Sequence, residues 1–143
     1  MLDYHWPGKF LIEITEALRD DTRQAKLVKE GLSQVKPGFS FHGYGLAIDL
    51  AIYNISENKY DWAPYPSKID GIIREPLKIL GATWVLQYGG TWGGNWKTLK
   101  DKPHFQLDYG LKIEEIKRWH EISTTWLATK LTDAAIEYFG IYN

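Results

Sequence analysis

Four residues have the types and spacing to do chemistry together: His42, Asp49, His104 and Asp101. Two neutral imidazoles and one carboxylate suit a borderline cation such as Zn²⁺, and three protein ligands leave a fourth position for a water. Zinc brings such a water to a pKa of roughly 7 and polarises a carbonyl, so the set points to metal-assisted hydrolysis. Cleaving an amide also needs a proton shuttle. Asp101, three residues before His104, is close enough to take the proton and return it to the leaving amine without competing for the metal. The helix-borne H-E-x-x-H arrangement, in which a glutamate fills this post, does not occur in the chain.

These residues also carry a resemblance. Ser40, His42, Gly45, Ala47 and Asp49 spell S-x-H-x-x-G-x-A-x-D, and Asp101, Pro103, His104 and Phe105 spell D-x-P-H-F. Both patterns resemble the signature of the zinc-dependent peptidoglycan peptidases of the D-Ala-D-Ala carboxypeptidase and L-alanyl-D-glutamate endopeptidase type, which include many phage endolysins. Upstream, Arg19, Gln24 and Gly31 look like that family's substrate-facing R-S-x-x-x-Q segment, with Asp20 where the serine usually stands. Gly89 to Trp96 looks like its W-G-G-x-W approach to the last ligand. The resemblance spans about residues 10–107. It implies one Zn²⁺ per chain held by His42, Asp49 and His104, Asp101 as general base, and Arg19 steadying substrate or a developing oxyanion. It further implies cleavage of the peptidoglycan stem peptide, at the L-alanyl-D-glutamate bond first and by D,D- or L,D-carboxypeptidase action second. The implied fold is the Hedgehog/DD-peptidase-like zinc peptidase domain.

The elements that must position these groups are partly readable. From Leu46 to Ile52, large apolar residues alternate with Ala47, Asp49 and Ala51, the period of a strand with one face on a core, so Asp49 points away from that core. His104, Gln106 and Asp108 alternate likewise with Phe105 and Leu107, which lets a second strand present His104 toward Asp49. Gly43 and Gly45 let the chain turn just before the first strand and bring His42 back over it. Other elements follow from pattern: a strand over 10–18, a helix over 22–30, and a loop over 54–66. A helix over 67–80 follows, with Pro76 a kink and Gly81 its end, then a short strand over 84–87. From Ile113 to Phe139 an apolar stripe, including Ile116, Trp119, Trp126, Leu127, Leu131 and Tyr138, predicts one long helix or two packed on the domain. The sum is an α+β domain, a small mostly antiparallel sheet flanked by helices.

Each site residue has a plainer alternative. His42 in a glycine-rich loop is a turn residue if taken alone, and Asp101 ahead of Pro103 is a common turn former. Ser40 reads as a backbone cap or a donor to a ligand rather than a nucleophile, because His42 is assigned to the metal and no other histidine stands beside it. His120 lies in the amphipathic C-terminal stretch and His5 near the terminus, and neither enters the site. Should Asp101 not be the base, Glu75, Asp61 or His120 come next. Seven tryptophans and nine tyrosines admit a different class of protein, a non-catalytic glycan- or peptide-binding module with Trp92, Trp96 and Tyr88 stacking on ligand. A purely structural zinc site is a third reading, but such sites usually close with four protein ligands, and three are evident here.

Length and composition bound the rest. The 143 residues suit a single domain over 1–143, with its motif core at about 10–107, a helical segment at about 112–140 and no separate cell-wall-binding module. A net charge of −1 lacks the basic footprint of a nucleic-acid binder. Cysteine is absent, which excludes disulfides and thiolate metal sites. Neither a signal peptide nor an apolar run of about 20 residues is found. A monomer made in the cytoplasm and acting on the cell wall, after release through a phage holin lesion, fits the resemblance.

Overall fold

Strand β2 (Ala47–Asn54) organises a five-stranded antiparallel sheet. Strand β1 (Phe10–Glu16) covers one of its edges; β3 (Lys59–Asp61) and β7 (His104–Gln106) share the other, against Ile52–Asn54 and Ala47–Asp49 respectively. Strand β6 (Thr91–Trp92) continues the sheet beyond β7. The computed structural model describes residues 10–55, 58–61, 67–69, 72–74 and 76–140. His5 and Glu75 lie outside the described residues.

The alternation in β2 divides the sheet into two faces. Ile52 is buried with Phe105 of β7, Trp92 of β6 and Leu77 of α2 (Pro76–Tyr88), and Ile48, Leu50, Leu80, Trp84 and Val85 pack against them. Full burial of one such side chain contributes about 1.5–3 kcal/mol, so this cluster is what holds α2 on the sheet. Phe105 faces the cluster, which turns its neighbour His104 to the opposite face.

The stretch from 67 to 88 corrects the sequence reading. In place of one helix ending at Gly81, β4 (Ser67–Ile69) pairs antiparallel with β5 (Ile72–Arg74), and α2 begins at Pro76 and runs through Gly81 and the expected strand 84–87. Ile69, Ile72 and Ile73 fit either period, because short apolar runs do not distinguish strand from helix. Proline lacks an N–H that a first-turn residue leaves unpaired anyway, so Pro76 opens a helix instead of kinking one. Gly81 is needed inside the helix: a Cβ there would stand 2.2 Å from Trp92 Cδ2. The expected loop over 54–66 likewise contains β3, while residues 62–66 lie outside the described residues.

Helix α1 (Asp21–Lys29) is capped by Asp20, whose carboxylate accepts from the Arg23 N–H at 2.7 Å. Asp20 thus supplies the cap that a serine would, since both are good N-cap residues. The C-terminal stripe forms two helices, α3 (Ile113–Ile122) and α4 (Thr124–Phe139). They part at Ser123, whose extended backbone leaves its hydroxyl to cap α4 by accepting from the Trp126 N–H at 3.0 Å. Ile116 and Leu127 are buried, whereas Trp126 and Tyr138 stay exposed. Among the described residues, no helix is long and apolar enough to cross a membrane.

Candidate metal centre

Strand register brings the first two candidate ligands together. Asp49 and His104 are direct partners across the β2–β7 pair, a relation that sets Cβ atoms about 4.5–5.5 Å apart on one face. The third comes from a short 3-10 turn, Phe41–Tyr44, just before β2. Gly45 closes that turn at φ 70°, a left-handed conformation that glycine adopts without steric cost. The His42 carbonyl accepts from the Arg19 N–H at 3.0 Å, which fastens the turn to the segment after β1.

The three inward atoms form a nearly equilateral triangle. His42 Nε2 is 3.1 Å from Asp49 Oδ1, His104 Nδ1 is 3.2 Å from the same oxygen, and the two nitrogens are 3.2 Å apart. A tetrahedral cation with bonds of 2.0–2.1 Å sets its ligand atoms about 3.3 Å apart, so the triangle has the right size. Proton placement agrees. His42 Nδ1 lies 2.8 Å from the Ala17 carbonyl, which can only accept, so Nδ1 carries the hydrogen and Nε2 turns a lone pair inward. His104 Nε2 lies 2.9 Å from Gln106 Oε1, so it too donates outward and leaves Nδ1 bare. Two nitrogen lone pairs and a carboxylate oxygen converging at this range repel one another unless a cation or an added proton lies among them. His42, Asp49 and His104 are accordingly a group that could hold a metal ion.

The electrostatics show how the site behaves with protons alone. Burial opposes ionisation of Asp49, yet hydrogen bonds from His104 and His42 outweigh it and hold the carboxyl far below the usual carboxylate range. Burial also disfavours protonated His104, but its bonds to Asp49 and Gln106 outweigh that and raise its pKa. A metal bound here would compete with a proton for the His104 Nδ1 lone pair.

A cleft of about 930 Å³ opens onto this triangle and is lined by Arg19, Ser40, Trp96 and Asp101 among others. Burial, and next the charge of Asp49, raise the Asp101 carboxyl pKa above its ordinary value, which makes it a better proton acceptor than a free aspartate. Its position depends on a close approach: the Asp101 N–H donates to the Gly93 carbonyl at 3.1 Å, and a Cβ on Gly93 would stand 2.3 Å from the Asp101 backbone carbonyl oxygen. Arg19 lines the same cleft with a side chain that is only 9% exposed. It donates to Glu16 at 3.2 Å, to Gln24 Oε1 at 2.9 Å and to Asp49 Oδ2 at 3.5 Å. Gln24 is buried and donates in turn to the Ser33 hydroxyl at 3.0 Å and to the Val35 carbonyl.

Other expectations change. Ser40 lines the cleft, but its side chain makes no capping bond to the turn that follows. Trp92 is a core residue whose indole N–H donates to the Lys102 carbonyl at 2.7 Å, and Tyr88 packs on Trp84, so of the three proposed stacking aromatics only Trp96 reaches the cleft. Trp96 lies against His104, ring centroids 5.1 Å apart. His120 packs edge-on against Tyr44. Glu16 was not singled out from the sequence. A bulge between Ile14 and Glu16 sets it opposite Asp49, where burial raises its pKa but bonds from Arg23 and Arg19 prevail and lower it. Only its place in the expected strand, three residues before Arg19, could have signalled it.

A model of the family described as D-alanyl-D-alanine carboxypeptidase matches residues 34–107, the stretch that contains Ser40, His42, Asp49, Asp101 and His104. The chain is 33% identical over 109 residues to the peptidoglycan L-alanyl-D-glutamate endopeptidase CwlK of Bacillus subtilis, covering 67% of this chain and 60% of that protein. It is 29% identical over 109 residues to the L-alanyl-D-glutamate peptidase of Listeria phage A118, covering 76% of this chain and 34% of that one. The chain thus spans less than two thirds of either relative. A crystal structure of the Serratia marcescens L-Ala D-Glu endopeptidase ChiX matches with 32% identity and a TM-score of 0.48, over 68% of this chain and 67% of that one.

Proposed function

Because the chain belongs to the D-alanyl-D-alanine carboxypeptidase family, we propose that it is a zinc peptidase that hydrolyses a peptide bond in the peptidoglycan stem peptide, most favourably that between L-alanine and D-glutamate. The observation that carries this reading is the triangle of inward lone pairs on His42, Asp49 and His104, open to a cleft that also presents Asp101. The choice of bond is supported by the names of both curated relatives. The family description supports carboxypeptidase cleavage of the same substrate as the second reading.

His42, Asp49 and His104 would hold the zinc. When bound, zinc supplies a Lewis acid that polarises the scissile carbonyl and acidifies water. Asp101 takes the proton of the attacking water and delivers it to the departing amine, a role its raised pKa suits. Arg19 has five N–H donors, and those left after Glu16, Gln24 and Asp49 are free to hold a carboxylate or carbonyl of the stem peptide. Glu16 and Gln24 aim that fork. Trp96 forms an apolar wall beside His104. We place this activity in residues 10–107, with α3 and α4 as part of the same domain, and its site of action at the cell wall.

Mass spectrometry of purified muropeptides after digestion tests the reading. The expected product is a stem peptide with a new amino-terminal D-glutamate. Release of a carboxy-terminal D-alanine instead would establish the carboxypeptidase alternative, and intact muropeptides in the presence of zinc would refute both.

A further inference from the structure

The ring of His42 is oriented by a backbone carbonyl, but that of His104 is oriented by side chains the proposed chemistry has not used. His104, Gln106 and Asp108 are all buried, at 7%, 9% and 4% exposure. His104 Nε2 meets Gln106 Oε1 at 2.9 Å, and Gln106 Nε2 donates to Asp108 Oδ2 at 2.7 Å. The other carboxylate oxygen of Asp108 accepts from the Gly110 N–H at 3.0 Å, and the Asp108 carbonyl accepts from the Leu111 N–H at 2.8 Å. Gly110 closes that turn at φ 78°.

Direction is set along this chain by what each group can do. A carboxylate only accepts, so the Gln106 amide must turn its NH₂ to Asp108 and its oxygen to His104. An amide oxygen also only accepts, so His104 must carry its hydrogen on Nε2. Its Nδ1 is then a bare lone pair pointing at His42 and Asp49. The opposite tautomer would put a hydrogen where a metal has to bind.

We propose that Gln106 and Asp108 are positioning residues that lock His104 in the one tautomer able to ligate, with the turn at Gly110 as the anchor of the relay. The inference rests on the metal-site reading above. Asp108 acts without touching the site: its work is to deny the glutamine amide its other orientation. An asparagine at 108 keeps the shape but offers both donor and acceptor, so Gln106 can rotate and present its NH₂ to His104, favouring the tautomer that cannot bind.

Three measurements test this. Long-range ¹⁵N–¹H spectra of the zinc-free protein at alkaline pH should show His104 protonated on Nε2, and in Asp108→Asn a substantial Nδ1-protonated fraction. Zinc affinity, measured by competition with a chromophoric chelator, should fall by about 10-fold to 100-fold in Asp108→Asn and in Gln106→Met, the range for losing an orienting partner. The double variant should lose no more than Gln106→Met alone, because the two residues act as one chain. Thermal unfolding of each zinc-free variant separates loss of fold from loss of orientation. Wild-type His104 protonated on Nδ1, or wild-type zinc affinity in a folded Asp108→Asn, overturns the proposal. These readouts do not use muropeptide cleavage, so a failed relay and a wrong substrate are distinguishable.

Discussion

In the proposed function, Asp101 and the three candidate ligands divide the labour that one residue type could not perform: His42, Asp49 and His104 would present lone pairs to a cation, and Asp101 would keep its carboxylate for a proton. That division predicts a separation of effects. Asp101→Asn keeps shape and a hydrogen-bonding side chain but cannot accept the proton, so zinc content should be unchanged while muropeptide cleavage falls by about 10²-fold or more. Turnover and metal content measured on the same preparation check it; wild-type turnover across the pH range would hand the base role to another residue. That these four residues would gather at one cleft was legible in the sequence, because hydrolytic metal chemistry admits few side-chain types and their spacing matched a known pattern. Gln106 and Asp108 were visible only as members of an alternating strand. A glutamine can serve many ends, and which group it meets depends on the pleat of β7 and the turn at Gly110, neither of which leaves a mark at the level of residue type.

At the scale of elements, the site depends on register and close approach. Strand β2 was legible from its period of two, and with it the face on which Asp49 stands. The segment 67–88 was not, because its isoleucines fit both periods and the meaning of Pro76 and Gly81 depends on neighbours distant in sequence. Gly81 shows which effect prevails. In a helix interior, alanine is favoured over glycine by about 1 kcal/mol, but the added methyl would meet the buried ring of Trp92 at 2.2 Å, and overpacking typically costs about 1–3 kcal/mol. The ring cannot swing aside, since its N–H is bonded to the Lys102 carbonyl. Gly81→Ala should therefore lower stability in urea unfolding despite its better helix propensity; a raised midpoint at unchanged slope would show that Trp92 can yield.

Over the whole molecule, the α+β class was legible and so was the division of the sheet around Asp49, but not which helix covers the core: α2 packs on one face, and the cleft opens on the other. The three candidate ligand atoms come from the turn at Phe41–Tyr44, from β2 and from β7, segments that only the folded state brings together. A metal bound there stabilises that state by mass action, so zinc removal should lower the melting temperature. The most direct test of the central claim is metal analysis of the purified protein beside His104→Ala. One Zn²⁺ per chain in the wild type, and its loss or a large fall in affinity in the variant, is the predicted result. A wild-type protein that takes up no stoichiometric zinc, or a His104→Ala protein that holds it with undiminished affinity, would contradict it.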